Sequence, residues 1–410
     1  MKVAVVGAGS TYTPELVSGL SALPVDQLTL HDIDAERLDV VGALAGRMLA
    51  RESFGGALEL TGDLDRAVDG ANFVLIQIRV GGQAARLTDE TLPLACGCIG
   101  QETTGAGGFA KALRTVPIVL EIADRVRERA DDGAWIVDFT NPVGIVTRSL
   151  LDHGHRAVGL CNVAIGFQRK FAQLLDVVPE RIVVDHVGLN HLTWVRAAYL
   201  DGDDVLPDLL SEHGDELAQF SNMPPYVLEE LGVVPSSYLH YFYAHDKVLA
   251  EQLDGAVPRA EVVAQIERDL LEMYRDPSLN EKPALLEQRG GAFYSEAAVG
   301  LVAALSGHKE GVHVVDIRNG DTLAGLQADD VIEVPARVGP NGPVALPQRP
   351  LAPELLGLVQ HVTAYERLAA EAAVTRNLAT ARKALLAHPL IGQHAMIDAL
   401  AESMLAEAVS

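Results

Sequence analysis

Two residues that commonly bind metal ions, a cysteine and a histidine, each follow a short apolar segment near the middle of the chain. Cys161 comes after residues 157–160, and His191 follows residues 187–189 after one asparagine. If these segments are strands, a thiolate and an imidazole at their ends could hold a metal ion and leave coordination positions open for a substrate. These ligand types alone suit zinc or iron better than manganese. Taken singly, however, a cysteine or histidine in such a place is more often a buried core residue.

The segment of residues 238–243 is rich in tyrosine, in a chain with only 5% aromatic residues. Such a segment can simply pack in the core, or one of its tyrosines can act as a general base. A phenol has a pKa of about 10, so it serves as a base only where a nearby cation stabilises the phenolate. A bound metal ion could supply that charge.

Polar candidates for substrate recognition are more scattered. Asn141 follows a predicted strand, residues 136–139, which would place an amide at the sheet edge where ligands bind, although Asn-Pro is usually only a turn. Arg86 follows a pair of glycines and is predicted to lie in a loop after the third strand, where a substrate-facing lid is common. Arg259 is one of several further arginines, each of which could bind an anion or simply be a surface or structural residue.

The first 32 residues carry a candidate nucleotide-binding turn. Residues 7–12 (GAGSTY) begin like a dinucleotide fingerprint, since the first glycine allows a tight turn and the second lets the backbone approach a pyrophosphate. Tyr12 stands in place of the third glycine, so the pattern alone also fits a turn that merely joins a strand to a helix. Asp32 could accept hydrogen bonds from the ribose hydroxyls and would repel a 2′-phosphate, which favours NAD over NADP. The residues predicted to bind NAD here are Gly7, Gly9, Ser10, Thr11 and Asp32.

These residues can act together only on a scaffold that brings strand ends to one place, and the order of elements predicts such a scaffold. Early in the chain, short β-branched segments alternate with helical patterns, which implies a parallel, doubly wound sheet. After about residue 167 the pattern changes to longer helices mixed with β segments. The predicted strands are residues 1–6, 28–31, 71–78, 135–139, 157–160, 182–187, 313–317 and 331–338, and the predicted helices are residues 14–20, 35–51, 114–129, 260–274 and 353–386.

We therefore predict an α/β fold with two domains, similar in plan to lactate and malate dehydrogenases. Residues 1–168 would form an NAD-binding domain of the Rossmann type. Residues 169–410 would form an α+β domain that carries substrate, metal and oligomer contacts. The two would share a cleft, because no long linker or low-complexity tract separates them. The alanine-rich helices near the C-terminus are expected to present solvated faces or an oligomer contact.

Composition argues against several classes of function. A net charge of −24 repels nucleic acid and anionic membranes, so neither is an expected partner. No stretch approaches the roughly 18 apolar residues that span a bilayer. Three cysteines in 410 residues are too few for a disulfide framework, which predicts a reducing, cytoplasmic location.

Taken in order, the motifs resemble those of glycoside hydrolase family 4, the NAD- and metal-dependent glycosidases, and most closely its 6-phospho-β-glucosidases. The resemblance runs nearly from end to end of the chain. This family departs from the usual glycosidase scheme of two carboxylates. The resemblance is carried by residues 7–16, 32–34, 100–105, 140–142, 159–163, 188–191 and 238–241.

The resemblance implies roles that the residues alone left open. Cys161 and His191 would bind a divalent metal ion, usually Mn²⁺, and Tyr238 would be the catalytic base. A phosphorylated sugar would be the substrate, and a homodimer or homotetramer the assembly. The positions that match substrate-binding residues of the family are Arg86, Asn141, Asn162 and Arg259.

Three of these positions carry further implications. Arg259 matches a phosphate-binding arginine, and Asn141 would also contact the cofactor. Asn162 stands where members that act on 6-phospho-α-glucosides carry an aspartate able to protonate the leaving group. The β-anomer is therefore the expected substrate, with the proton donor left unassigned.

The implied reaction is an internal redox cycle. NAD takes a hydride from C3 of the sugar, the resulting ketone acidifies the C2 proton, and Tyr238 removes that proton. The aglycone leaves by elimination, water adds to the unsaturated intermediate, and NADH returns the hydride. The expected activity is hydrolysis of 6-phospho-β-glucosides, such as cellobiose 6-phosphate or aryl β-glucoside 6-phosphates.

Three alternatives are open at this point. Within the family, the chain could be a 6-phospho-α-glucosidase or another glycosidase. A NAD-dependent 2-hydroxyacid dehydrogenase would share the two-domain plan, but it would use an arginine with an Asp-His pair and need no metal-binding cysteine. A non-catalytic NAD sensor is the third alternative, against which Cys161, His191 and Tyr238 argue.

Overall fold

Strands and helices alternate through the first part of the chain, as its β-branched segments and helical patterns require. The computed structural model describes residues 1–290 and 293–408, so residues 291–292 and 409–410 of the predicted second domain lie outside the described residues. The strands are β1 (Lys2–Val6), β2 (Gln27–His31), β3 (Ala57–Thr61), β4 (Phe73–Ile76), β5 (Trp135–Asp138), β6 (Ala157–Gly159), β7 (Ile182–Leu189), β8 (Leu192–Leu200), β9 (Asp203–Asp204), β10 (Val234–Pro235), β11 (Gly311–Arg318), β12 (Val331–Gly339) and β13 (Gly342–Ala345).

The helices are α1 (Thr13–Leu20), α2 (Ala35–Arg51), α3 (Leu64–Val68), α4 (Gly82–Ala95), α5 (Gly105–Arg129), α6 (Val143–Asp152), α7 (Val163–Leu174), α8 (Leu206–Ser221), α9 (Pro225–Leu231), α10 (His240–Tyr243), α11 (His245–Leu253), α12 (Arg259–Tyr274), α13 (Leu286–Arg289), α14 (Tyr294–Leu305), α15 (Pro353–Thr375), α16 (Leu378–Ala387) and α17 (His394–Glu407). Single 3-10 turns lie at Pro179–Arg181 and Ser237–Leu239. Of the helices in the described ranges, none combines the length and the apolar character needed to cross a membrane.

The first six strands form a parallel sheet in the order β3-β2-β1-β4-β5-β6. This is the strand order of doubly wound dinucleotide-binding folds, so the predicted Rossmann-type sheet is confirmed. Every residue of β4 and β5 is buried, as expected of parallel strands covered on both faces. Helix α2 begins directly after β2, because the Asp34 side chain accepts a hydrogen bond from the Arg37 N–H and caps the helix.

The second half of the chain extends the same sheet. β11 lies antiparallel to β6, with Asp316 opposite Gly159, and β12, β7, β8 and β10 follow outward. A side chain at Gly159 would meet Thr147 Oγ1 at 2.2 Å and Asp316 Cβ at 2.8 Å, so glycine permits this junction. The predicted boundary between residues 168 and 169 falls inside α7, and the division into two domains stays a prediction.

The C-terminal helices differ from the expectation in two respects. The predicted single helix over residues 353–386 is wrong, because Arg376 adopts a left-handed conformation, with a φ of 57°, that separates α15 from α16. These helices are also not mainly solvated faces, since α15 packs against α5 and α6 and buries Ala369, Ala372 and Ala373. Small alanine side chains allow the helices to approach one another closely.

The carboxyl ends of the parallel strands meet at one edge of the sheet. Gly7 directly follows β1, Asn141 lies shortly after β5, and Cys161 lies shortly after β6. Between β1 and β4 the strand order reverses, which is where doubly wound folds bind their ligands. The fold therefore brings the nucleotide turn and a candidate metal ligand to the same edge.

Candidate active site

A cavity of about 1450 Å³ lies at this edge of the sheet. Thr11 is not part of its lining, because the residue is fully buried and its carbonyl oxygen accepts a hydrogen bond from the Tyr274 hydroxyl at 2.7 Å. Cys161 and His191 are buried behind the lining. The predicted site residues that line the cavity are Gly7, Gly9, Ser10, Asp32, Arg86, Asn141, Asn162, Tyr238 and Arg259.

Close backbone contacts explain the glycines of the nucleotide turn. Gly7 has a φ of 90°, and its N–H donates to the His31 carbonyl oxygen at 2.9 Å. A side chain at Gly7 would come within 2.8 Å of the Gln77 carbonyl oxygen. Gly9 donates its N–H to Asp32 Oδ2 at 2.7 Å, and a Cβ at Gly9 would meet the same oxygen at 2.8 Å. The turn and Asp32 are therefore built as one unit at the cavity wall.

Arg289, one of the scattered arginines that the sequence offered as candidates for anion binding, lies beside the nucleotide turn. Its guanidinium lies over the ring of Tyr12, and its Nη2 is 3.5 Å from Ser10 Oγ. Nη2 also pairs with Glu267 Oε1 at 2.9 Å, and the same carboxylate faces Arg37 at 3.7 Å. An arginine near the N-terminus of a helix favours an anion such as a pyrophosphate. No local spacing in the sequence links Arg289 to the nucleotide turn, because a long segment of chain separates the two.

Cys161, His191 and Tyr238 come together beside the cavity, although three different segments carry them. His191 occupies the turn between β7 and β8 with a φ of 62°, and Tyr238 lies in the 3-10 turn Ser237–Leu239. The ring of Tyr238 stacks on the ring of His191, with centroids 3.6 Å apart and 9° between the ring planes. The Tyr294 hydroxyl is hydrogen-bonded to Cys161 Sγ. The candidate base therefore contacts one candidate metal ligand, His191, and lies near enough to the other, Cys161, to be affected by its charge.

Burial decides the protonation of these three groups. It lowers the pKa of His191 to about 3, with help from the positive charge of Lys111, so the imidazole is neutral. It raises the pKa of Cys161 well above the usual range of a thiol, and the charge of Glu333 adds to this effect. Burial also raises the pKa of Tyr238, and the charge of the neighbouring Cys161 raises it further. The imidazole can bind a metal ion as it is, whereas the thiol and the phenol need positive charge nearby before they lose a proton.

The donor set fits a divalent metal ion with open coordination positions. Nδ1 of His191 is 2.9 Å from Thr103 Oγ1, so Nε2 is the ring atom available to an ion. The Oδ1 atom of Asn141 is buried and has no hydrogen-bond partner among the described residues. Over the same residues, no group of three or more histidine, cysteine, aspartate or glutamate side chains is placed to hold a metal ion. An ion held by Cys161 and His191 would therefore keep positions open for substrate oxygens, as catalytic metal sites do.

A buried cluster of charges lies near Tyr238. Glu102 pairs with Lys111 at 2.6 Å, with Arg86 at 3.1 Å and also with Arg79. Burial alone would raise the pKa of Glu102, but the positive charges of Lys111, Arg79 and Arg86 hold it well below its usual range. Arg86 also pairs with Glu90 at 2.7 Å, so two carboxylates face three cations, a small local excess of positive charge in a chain whose net charge is −24. An anionic substrate would need such a local excess.

Arg86 lies in helix α4, so the prediction that it lies in a loop after the third strand is wrong. The sequence analysis missed β3, and the turn after β4 is completed by Gly81 and Gly82, whose φ values of 77° and 61° allow α4 to begin at once. Arg86 Nε donates to Glu90 Oε1 at 2.7 Å, one helical turn further on. Glu90 and Glu102 together hold the guanidinium at the cavity wall.

Arg259 is the first residue of α12, and its side chain is exposed where the helix meets the cavity. The side chain donates to the Gln288 carbonyl oxygen at 2.9 Å. Glu90 Oε2 accepts the N–H of Ala260 at 2.8 Å, so the carboxylate that holds Arg86 also holds the N-terminus of α12. The structure thereby brings Arg86 and Arg259 to the same end of the cavity.

Comparison with known proteins finds one family along almost the whole chain. The model of the Family 4 glycosyl hydrolase matches residues 2–177, and that of the Family 4 glycosyl hydrolase C-terminal domain matches residues 186–391. A probable 6-phospho-beta-glucosidase of Bacillus subtilis (strain 168) is 38% identical over 99% of this chain and 96% of its own length. The structure of the 6-phospho-beta glucosidase from Thermotoga maritima with manganese, NAD+ and glucose-6-phosphate has a TM-score of 0.91 at 33% identity, covering 99% of this chain and 98% of that one.

The predicted likeness to the malate dehydrogenase fold is confirmed. Malate dehydrogenase from Salinibacter ruber has a TM-score of 0.55 at 16% identity, covering 92% of this chain and 98% of that one. At this identity the likeness concerns the fold alone. It gives no support to the alternative activity of a 2-hydroxyacid dehydrogenase.

Proposed function

The chain belongs to family 4 of the glycosyl hydrolases, and on that premise we propose that it hydrolyses 6-phospho-β-glucosides with the help of NAD and a divalent metal ion, Mn²⁺ in the first place. The observation that carries the proposal is the stacking of Tyr238, which lines the same cavity as the nucleotide turn, on the buried His191 behind it. Oxidation of a sugar ring followed by elimination requires a base, a metal site and a cofactor site close together.

Support for NAD comes from the position of Asp32. Its two carboxylate oxygens accept the N–H groups of Gly9 and Asp34 at 2.7 and 2.9 Å, which holds the side chain at the end of β2. Ribose hydroxyls would donate to this carboxylate, and a 2′-phosphate would be repelled by it. The structure from Thermotoga maritima, which contains NAD+ and manganese, adds support for both cofactors.

Tyr238 is proposed to take the proton from C2 of the sugar. When bound, NAD supplies a hydride acceptor and donor, and the divalent ion supplies positive charge beside the sugar oxygens. Without that charge the phenol keeps its proton, because burial raises the pKa of Tyr238. Since Tyr238 is stacked on His191, it would stand next to the ion that lowers its pKa. The base would therefore be active only in the metal-loaded site.

Arg259, the first residue of α12, is proposed to bind the 6-phosphate. Its side chain is exposed at the cavity, and a guanidinium is suited to an anion. Arg86, which Glu90 holds at the same end of the cavity, and Asn141 would contact the sugar. Asn162 follows Cys161 and cannot give up a proton as a carboxylic acid does, which supports the β-anomer over the α-anomer.

Hydrolysis of 4-nitrophenyl β-glucoside 6-phosphate in deuterated water, with NAD+ and Mn²⁺, tests the proposal. We expect release of nitrophenol, no net NADH at 340 nm and deuterium at C2 of the sugar product. Steady accumulation of NADH would instead identify a dehydrogenase. Product with only protium at C2 would exclude the elimination step.

The matched variant for this test is Tyr238→Phe, which keeps the stacked ring and removes the hydroxyl. We expect turnover to fall by at least about 100-fold, since a positioned general base contributes 10²–10⁴-fold. NAD+ binding should be unchanged in the same preparation. Wild-type turnover in this variant would remove Tyr238 from the proposed role.

Two further properties are proposed from the family and the composition of the chain. A homodimer or homotetramer is implied by the family, and light scattering of the purified protein would measure it. A cytoplasmic location follows from the low cysteine content, and cell fractionation would test it.

A further inference from the structure

We propose that Thr103 fixes the tautomer of His191, so that Nδ1 carries the proton and Nε2 presents its lone pair to the metal ion. The inference rests on the proposed function, in which His191 is a metal ligand. A neutral imidazole has one protonated and one unprotonated nitrogen, and only the latter binds a metal ion. Thr103 acts on the reaction through His191 and is therefore a positioning residue.

The hydroxyl proton of Thr103 is already committed to another group. Gln101 Oε1 is 2.8 Å from the backbone N–H of Thr104 and also accepts the backbone N–H of Thr103. An atom that faces two N–H donors must be the amide oxygen, which can only accept. The Thr103 hydroxyl is 2.9 Å from the same oxygen, so its proton points to Gln101.

With its proton directed to Gln101, the Thr103 oxygen offers only lone pairs to its other neighbour. That neighbour is Nδ1 of His191, at 2.9 Å. The contact is a hydrogen bond only if Nδ1 carries the proton and donates it. The chain of bonds thus runs from His191 through Thr103 to Gln101, and it leaves Nε2 with a free lone pair.

The stacked contact with Tyr238 cannot make this choice by itself. A half-turn of the imidazole about its Cβ–Cγ bond keeps the ring in the same plane, so the 3.6 Å stack would survive it. The same half-turn would move Nδ1 away from Thr103 and break the hydrogen bond. Tyr238 therefore sets the plane of the ring, and Thr103 sets which nitrogen faces the cavity.

The segment that carries Thr103 is held firmly in place. A Cβ at Gly107 would lie 2.3 Å from the Gln101 carbonyl oxygen, and a Cβ at Gly108 would lie 2.6 Å from the Thr103 carbonyl carbon. Glycines at the start of α5 thus let the segment pack directly on the helix. A hydroxyl on such a rigid segment can hold an imidazole to a fixed position.

Three variants separate the hydroxyl of Thr103 from its bulk. Thr103→Val keeps the shape and removes the hydroxyl, so Mn²⁺ affinity should fall about 10- to 100-fold, the usual effect of losing the partner of a metal-bound histidine. Thr103→Ser keeps the hydroxyl and should restore affinity to within about threefold of the wild type. Thr104→Val is the matched control, because the Thr104 hydroxyl faces His388 Nε2 at 3.4 Å and not the metal ligand.

Mn²⁺ titration followed by the electron paramagnetic resonance of the free ion measures these affinities without any turnover. Wild-type affinity in Thr103→Val would overturn the proposal, and so would an equal loss in Thr104→Val. If wild-type protein shows no Mn²⁺ site that His191→Ala removes, the proposed metal site itself fails.

A second measurement decides the tautomer whether or not metal binds. Nitrogen-15 NMR of labelled histidine in metal-free wild-type protein, with the signal assigned by its loss in His191→Ala, reports which ring nitrogen carries the proton. We expect protonated Nδ1 and unprotonated Nε2. The reverse tautomer would overturn the inference even if the enzyme hydrolyses 6-phospho-β-glucosides.

Discussion

Replacing Gly9 by alanine should weaken NAD binding while the protein still folds. The new Cβ would lie 2.8 Å from Asp32 Oδ2 and 3.0 Å from Arg37 Cβ. Neither neighbour can move freely, since Asp32 Oδ1 also accepts the Asp34 N–H at 2.9 Å and Arg37 Nε donates to the Gly9 carbonyl oxygen at 2.9 Å. The carboxylate must shift away from the position in which it would face the ribose.

The expected size of the effect follows from the bond that is lost. A hydrogen bond from a hydroxyl to a carboxylate contributes about 1.5–3 kcal/mol. Loss of one such bond to the ribose corresponds to an increase of about 10- to 150-fold in the Kd for NAD+. The strain of the added methyl group should also lower the free energy of unfolding by about 1–3 kcal/mol, which a lower Tm would show.

Isothermal titration of NAD+ into the wild type and the Gly9→Ala variant measures this difference. Gly46→Ala is the matched control. Gly46 lies in helix α2, and a Cβ there would make only an ordinary 3.5 Å contact with Leu58 Cδ2. The control should keep the wild-type Kd and gain up to about 1 kcal/mol of stability. A Kd for Gly9→Ala within about threefold of the wild type would refute the reasoning, since Asp32 would then not hold the ribose.

Three further variants, two of them with a control variant, test the charge and backbone arguments. Glu102→Gln should lower the free energy of unfolding by about 3–5 kcal/mol, because three cations lose a buried charged partner. The control is Glu281→Gln, which removes the charge from an exposed pair with Arg51 and should lower it by less than about 1 kcal/mol. Equal losses for the two variants in urea unfolding would contradict this. Burial raises the pKa of Glu366 from 4.5 to about 8, so the folded state keeps a proton that the unfolded state loses, and stability falls by about 1.4 kcal/mol per pH unit as pH rises across that window. Glu366→Gln should lessen the slope measured in unfolding from about pH 5 to pH 8 by this contribution, and an unchanged slope would exclude the assignment. Arg376→Gly should raise the Tm, because a φ of 57° costs a residue with a Cβ about 1 kcal/mol and costs glycine little. Alanine also has a Cβ, so an equal rise in Arg376→Ala would rule out relief of backbone strain as the cause.

Local sequence was sufficient where neighbouring residues determine the structure. Helix α2 was predicted at residues 35–51 and is observed at Ala35–Arg51, since Asp34 caps it and its apolar residues keep the helical period. Helix α5 was predicted to begin at residue 114, yet it begins at Gly105. The glycines at its start carry no apolar pattern, and they are helical because they pack against the segment of Gln101 and Thr103. Propensity was overridden there by tertiary packing.

The order of motifs determined the family, and it predicted the cofactor turn at Gly7 and the candidate reactive side chains, because each depends on residue types at fixed local spacings. Only the tertiary structure decided which of these side chains touch. His191 lies 88 residues from Thr103 in the chain, and Tyr238 reaches His191 from yet another segment. No periodicity encodes such contacts. Protonation also depended on the fold, since burial shifts the pKa of each group and exists only once the chain has packed.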